Sequence, residues 1–497
     1  MMATSGILHE TGADVIGIIE SAVERAHTPE VAEQFRDIQR RMTGPIRLAI
    51  AGKVKAGKST LLNALIGEEL APTDAGECTQ IVTWYVYGAA PRVQLFPVQG
   101  PPVDRPYVRD QGALDIDLGG LRHDQVDHLE VTWPAGRLRE TILLDTPGIA
   151  SISAHTSART ERVLSSRADV VPVADAVLYL LRHAHSSDLR FLEAFGTEEM
   201  LAGTSINTVG VLSRADEIGS CRLDAMQVAA RVAARYARDQ RLRRLCPTVL
   251  PVTGLVAHAA ATLRESEFSA LAKIAAAPIA DSAELLLTAD RFGGRESSID
   301  VSPAARSALL ERLGLFGVRL SVKLISSGDC ASATELSHRL SRECGIEELR
   351  TVLSEQFTAR SRVLRTRSAI AGVRALLEAD ACAGASTLLA RVEQLVASDR
   401  DLDEIRLLES LRSGQVELPS DRVKELDRLL GGAGADPAAR LGVASGTPSE
   451  LRVCAGEALQ RWQRLAAHPL TPRATQRAAR TAVRTLEAMI VTTELKG

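Results

Sequence analysis

The stretch GKVKAGKST, residues 52–60, decides how this chain is read. It follows a short apolar run, PIRLAIA (45–51), and leads into KSTLLNALIG (58–67), which has helical spacing. The pattern GxxxxGKS between a strand and a helix is a phosphate-binding loop, because that context is what the pattern requires. Gly52 and Gly57 let backbone N–H groups close on phosphate oxygens, with Lys53, Val54, Lys55 and Ala56 as the arc between them. Lys58 is placed to reach the β and γ phosphates, Ser59 to ligate Mg2+, and Thr60 to sit beside them in the first helical turn. The helix N-terminus adds partial positive charge there. Lys53 and Lys55 are more charge than such a loop needs.

Around that loop, 497 residues are too many for one ordinary domain. The composition, 45% hydrophobic and 24% charged, is that of a folded, soluble chain. A net charge of −3 gives no whole-molecule attraction to nucleic acid or to anionic lipid. Seven scattered cysteines with no CxxC pair argue for reduced thiols in the cytoplasm, and against a disulfide frame or zinc site. The chain opens without a basic region followed by a long apolar run, so no signal peptide is expected. No stretch of about 18 uncharged apolar residues occurs, so no spanning helix is expected either.

Residues 8–44 carry apolar positions at three-and-four spacing and predict one or two helices. Short apolar runs then fall at 45–51, 81–87, 128–133, 141–145, 176–182, 206–212 and 248–252, several with helical stretches between them. That alternation predicts an α/β domain with a doubly wound, mostly parallel sheet. After about residue 256 the strand-like runs stop. The pieces 302–327, 332–397, 401–413, 419–431, 448–467 and 470–494 read as helical, with breaks at GGAGADP (431–437) and HPLTP (468–472). The predicted organisation is N-terminal helices over 1–44 joining a neck bundle, a nucleotide-binding domain over 45–260, and an all-helical neck and trunk over 261–497.

Further motifs appear in a fixed order. DTPG (145–148) closes the run TILLD. Asp145 at a strand end can hold Mg2+ through water, and Gly148 can offer its N–H to a γ-phosphate; alone, DTPG also fits a simple turn. SRAD (213–216) follows INTVGVL. The Asp216 carboxylate can accept the two hydrogen bonds that guanine donates and adenine cannot. Arg214 can lay its flat guanidinium over the base, with Ser213 beside it; the other reading is a helix-capping turn. VTG (252–254) brings Thr253 and Gly254 to where guanine O6 would meet a backbone N–H. In APTDAGECT (71–79), Thr73 or Thr79 would complete the Mg2+ shell and close over the γ-phosphate; Thr79, just before the run at 81–87, is favoured.

In this order the series GKVKAGKS, PTDAGECT, DTPG and SRAD, flanked by helices, resembles the bacterial dynamin-like GTPases. The phrases APTDAGECT, SRADEIG (213–219), AARLG (438–442) and AAHPL (466–470) are similar to their actinobacterial isoniazid-inducible branch, over nearly the whole chain. The resemblance implies GTP and Mg2+ as ligands and a GTPase activity with Lys55, Lys58 and Thr79 as catalytic candidates. It further implies self-association through the GTPase domain, a homologous dynamin-like partner, and peripheral contact with the cytoplasmic face of the plasma membrane. No nucleic acid partner is implied.

Departures from the family pattern bear on mechanism. Classical dynamins carry a water-placing glutamine at the loop's third position and a serine that helps hold a monovalent cation at the fourth; here those are Val54 and Lys55. The position after Gly148, a glutamine in small GTPases, is Ile149. With no evident side chain to orient the water, basal turnover is expected to be slow and dependent on pairing. In related guanylate-binding proteins an arginine at the fourth position acts as a finger in cis. Lys55 either takes that part, replaces the monovalent ion, or is a solvated surface lysine. Arg473, Arg477, Arg480 and Arg484 share one helix face. They read as a lipid-headgroup or nucleic-acid stripe or, preferred, as a solvated face or one pairing with acids on the N-terminal helix. His183 and His185 read as loop residues. Two rivals to the membrane-acting GTPase remain open: a GTP-controlled scaffold or regulatory partner, and an ATPase should Asp216 not face the base.

Overall fold

The computed structural model describes residues 7–72, 81–110, 113–147, 174–182, 207–239, 241–242, 246, 248–294, 296–358, 360–412, 414–432, 436–443 and 445–494. Eleven strands are described: β1 (Ile46–Gly52), β2 (Val82–Tyr87), β3 (Arg92–Pro97), β4 (Val103–Asp104), β5 (Tyr107–Asp110), β6 (Ala113–Ile116), β7 (Val126–Trp133), β8 (Thr141–Asp145), β9 (Ala176–Leu181), β10 (Thr208–Ser213) and β11 (Thr248–Val252). Nine form one sheet in the order β11-β10-β9-β1-β8-β2-β7-β3-β4, and β5 and β6 form a separate hairpin. From β11 to β8 all neighbours are parallel. The strand β2 then runs antiparallel to β8 and parallel to β7. The expected α/β domain with a doubly wound, mostly parallel sheet is therefore the observed fold.

The inner strands β9 and β10 are buried along their whole length, as parallel strands covered on both faces must be, which is why their sequences are unbroken apolar runs. The strands β3 to β6 escaped sequence reading. Their residues mix polar side chains and prolines, and β3 and β4 are held by pairing to β7 and to each other, so the decisive signal is a partner rather than a local pattern.

The helix after the loop, α3, spans Lys58–Ile66 and ends at Gly67 in the left-handed conformation. Asn63, fully buried, pins the chain leaving it. Its Oδ1 accepts from the Leu70 and Ala71 N–H groups, and its Nδ2 donates to the Ala71 carbonyl. A buried amide is tolerable only when satisfied in this way.

The N-terminal helices α1 (Ile7–Glu24) and α2 (Pro29–Thr43) pack against the helices Ser361–Glu378 and Ala385–Ser398 around Ile19, Phe35, Ile38, Val373 and Leu388. The boundary expected near residue 260 does not coincide with a break in packing. Helices Gly254–Ala261, Glu265–Ala276, Pro303–Ser326, Ala333–Glu343 and Ile346–Leu353 share one continuous core with the sheet. The Thr253 N–H donates to the Cys344 carbonyl, and Arg350 Nη2 donates to the Ala64 carbonyl.

The single helical stretch read over 332–397 is broken into four helical pieces by Gly345, by a π-helical turn (Ser354–Thr358) and by the turn at 379–384. Gly345 has φ +82 and lies against the Pro251 carbonyl, where a Cβ would clash; only glycine combines that conformation with that approach. Of the arginine stripe, only the pairing with the N-terminal helix needs correcting. Arg484 pairs with Asp403 at 3.1 Å, on the helix Arg400–Arg412 rather than on α1, while Arg473, Arg477 and Arg480 are exposed. Among the described residues no helix is long and apolar enough to cross a membrane.

Candidate functional site

The loop emerges from the carboxyl end of β1, between β8 and β9, where a doubly wound sheet binds its ligand. Register pairing sets Ile50 beside Asp145 and Gly52 beside Leu180. Gly52 has φ +152, and a Cβ there would lie 2.9 Å from the Leu180 carbonyl oxygen, so the first glycine is required by the close approach of β9. Gly57 takes φ +89 and caps α3. Ala56 is buried beneath the loop, while Val54 is 49% exposed. Lys53 is half-buried.

Lys55 is exposed and its backbone is left-handed, φ +62. That conformation is uncommon for a residue with a Cβ, and such residues gather at functional sites.

Lys58 folds back over the loop. Its Nζ donates to the Gly52 carbonyl at 3.4 Å and the Lys53 carbonyl at 3.3 Å. Burial lowers its pKa, and the nearby Asp145 charge opposes that. Ser59 Oγ donates to Asp145 Oδ2 at 3.3 Å, bringing the two expected Mg2+ holders together. Burial pushes the Asp145 carboxyl up to about 6, against the pull of Lys58 and Ser59. Two hard oxygen donors at the end of β8, with a lysine alongside, suit a divalent cation carrying phosphate oxygens.

The base side is built from the ends of β10 and β11. Ser213 Oγ donates to the Leu181 carbonyl at 3.2 Å and so ties β10 to β9. Asp216 is buried, and that burial raises its pKa. Thr253 is buried, and Gly254 starts the helix Gly254–Ala261 close to Thr60. A cavity of about 120 Å³ runs between these two sides, with Ala56, Gly57 and Thr60 on one wall and Arg214, Asp216 and Gly254 on the other. Thr73, Thr79, Gly148, Ile149, His183 and His185 lie outside the described residues.

Sequence reading missed three groups here. Glu217 lines the cavity and clamps two arginines, accepting from Arg214 Nη1 at 2.7 Å and from Arg182 Nη2 at 2.5 Å. The Arg214–Glu217 spacing of three residues was a legible signal; Arg182 was not, since only the sheet brings β9 beside β10. Gly314 interrupts the helix Pro303–Ser326 with φ +65 and ψ +170. A Cβ there would lie 3.9 Å from Asp216 Oδ2, so a helix distant in sequence passes close to that carboxylate.

Residues 48–214 match the Dynamin family model. The chain is 40% identical over 460 residues to the isoniazid-induced protein IniC of Mycobacterium tuberculosis, covering 92% of each. The chain belongs to the bacterial dynamin-like family. This dynamin-like protein is also 27% identical over 216 residues to the bacterial dynamin-like protein of Nostoc punctiforme, covering 41% of this chain and 29% of that one. A solved structure described as an oligomerised bacterial dynamin pair matches over 100% of this chain and 74% of its own, at 13% identity and TM-score 0.32.

Proposed function

We propose that this dynamin-like protein binds GTP with Mg2+ and hydrolyses it to GDP and phosphate, slowly when alone and faster when two GTPase domains pair. The observation that carries the reading is the shared cavity: the phosphate loop at Ala56 and Gly57 and the carboxylate of Asp216 line the same space. Guanine's N1–H and exocyclic amine suit Asp216, while Arg214, steadied by Glu217, suits the base's flat face. Lys58, already turned onto the loop carbonyls, is within reach of phosphate oxygens. Ser59 and Asp145 would hold Mg2+, which when bound neutralises charge between the β and γ phosphates.

Val54, half-exposed and apolar, offers nothing to orient a water. Lys55 stands beside it as the candidate cation for charge that builds as the γ-phosphate leaves. We place the GTPase domain over 45–260, the N-terminal helices over 1–44 in the neck bundle, and the neck and trunk over 261–497, with the core continuous across residue 260. Self-association through the GTPase domain, pairing with a homologous dynamin-like chain, and peripheral action at the cytoplasmic face of a membrane complete the reading.

Nucleotide specificity tests it. Wild type should turn over GTP and not ATP. Asp216→Asn should lose GTP by at least tenfold and gain xanthosine triphosphate, whose extra carbonyl an amide can meet with a donor. ATP turnover matching GTP turnover, or an Asp216→Asn variant with unchanged preference, would overturn the assignment.

A further inference from the structure

A second cavity, of about 240 Å³, opens at the opposite end of the sheet from the phosphate loop. Ile46 and Thr141, the first residues of β1 and β8, line it, whereas Gly52 and Asp145 end those strands, roughly 15–20 Å away at strand rise. Its floor is apolar: Leu48, Leu65, Leu143 and Phe357 are all buried. Ser354, the first residue of the π-helical turn, forms part of the wall, and such turns recur at functional sites.

The mouth carries charges of both signs. Arg137 is exposed there, lies against Gly67 at the end of α3, and makes no hydrogen bond to a described residue. Arg350 spends Nη1 on Glu347 at 2.5 Å and Nη2 on the Ala64 carbonyl at 3.0 Å; its Nε is buried with no partner. Burial, and then the neighbouring Arg350 charge, lower the Arg137 pKa, with Glu347 opposing. Glu140 also lines the mouth, exposed and bonded to neither arginine. The α3 carboxyl end accounts for one Arg350 bond and leaves the Arg137 fork open.

We propose that this cavity binds a free medium-chain carboxylate. Its hydrocarbon chain lies against Leu48, Leu65, Leu143 and Phe357, and its head group meets Arg137. A planar carboxylate matches a guanidinium fork with two parallel bonds. At roughly 30 Å³ per packed heavy atom the space takes about eight heavy atoms, so the tail of an eight-carbon carboxylate fills it and leaves the head group at the mouth. The occupant wedges between the sheet and the segment 350–357, which leads into the helix Ser361–Glu378 of the neck bundle. It therefore sits where nucleotide-unit and neck motions would meet.

The test is calorimetric titration and thermal melting of the full chain with octanoate, octanol, acetate and octyl phosphate, without nucleotide. Octanoate should saturate at one per chain and raise the melting temperature, with octanol and acetate at least tenfold weaker. Arg137→Ala, which breaks no hydrogen bond to a described residue, should weaken octanoate at least tenfold and leave octanol unchanged. Thr141→Phe, which fills the mouth, should abolish binding of both; circular dichroism and GTP binding check that each variant is folded. Octanol equal to octanoate, Arg137→Ala without effect, or binding that never saturates would overturn the proposal. Octyl phosphate tighter than octanoate would overturn the carboxylate head.

Discussion

Replacing Lys55 separates a backbone effect from a charge effect. The residue sits at φ +62, a conformation that costs a residue with a Cβ about 1–2 kcal/mol and glycine almost nothing. Lys55→Ala removes the ammonium and keeps the strain; Lys55→Gly removes both. After glycine's larger loss of chain entropy, the glycine variant should exceed the alanine variant in stability by about 1 kcal/mol, or roughly 2 °C in the melting of the GTPase unit. If Lys55 stabilises charge on the phosphates, both variants should lose turnover equally. Removing one group aimed at developing charge typically costs about 100-fold, which is about 2.7 kcal/mol of barrier. Lys55→Arg should keep most of the rate. The assay is phosphate release at saturating GTP, across protein concentrations and in potassium against sodium. Turnover of both variants within about twofold of wild type, with unchanged potassium dependence, would remove Lys55 from the mechanism. A rate restored in Lys55→Gly but not Lys55→Ala would show that the backbone, and not the charge, matters.

Three further outcomes follow from the geometry. Asp145 has its pKa raised by burial from 3.8 to about 6, so its contribution favours the folded state below pH 4 and is lost as pH rises through 6. Without nucleotide, Asp145→Asn should flatten the fall in stability between pH 3.5 and 7 by at most about 3 kcal/mol, less whatever Lys58 loses with its counter-charge; a fall as steep as in wild type, followed by denaturant melts, would contradict the assignment. Gly345→Ala must abandon φ +82 and clear the Pro251 carbonyl, so a cost of roughly 2–4 kcal/mol is expected in urea unfolding, and a neutral substitution would mean the helix shifts freely. Glu217→Gln frees Arg214 and Arg182, both part-exposed, so GTP affinity in a fluorescent-nucleotide titration should weaken about two- to fivefold with the rate at saturation unchanged. A drop in that rate instead would place Glu217 closer to the chemistry.

Local rules carried much of the nucleotide site. Gly52, Gly57, Lys58, Ser59 and Asp145 were legible because a glycine loop between strand and helix leaves few ways to hold a phosphate, and the sheet then brought Ser59 within 3.3 Å of Asp145. Ser213 was legible as a position but not in its bonding: it ties β10 to Leu181, a bond that exists only once β9 lies alongside. The long helix read over 332–397 failed because helix propensity says nothing of a carbonyl from Pro251 waiting at residue 345. The strands β3 and β4 were invisible because their stability lies in pairing with β7 and with each other.

The sequence by itself determined the order of the motifs and the family, since these rest on residue type and spacing along the chain. Only the tertiary structure decided that residues 254–353 share one core with the sheet, that Gly314 lies close to Asp216, and that Arg137 and Arg350 meet over an apolar hollow. Those contacts join segments far apart in the chain, and packing, which no local window can sum, is what selects them.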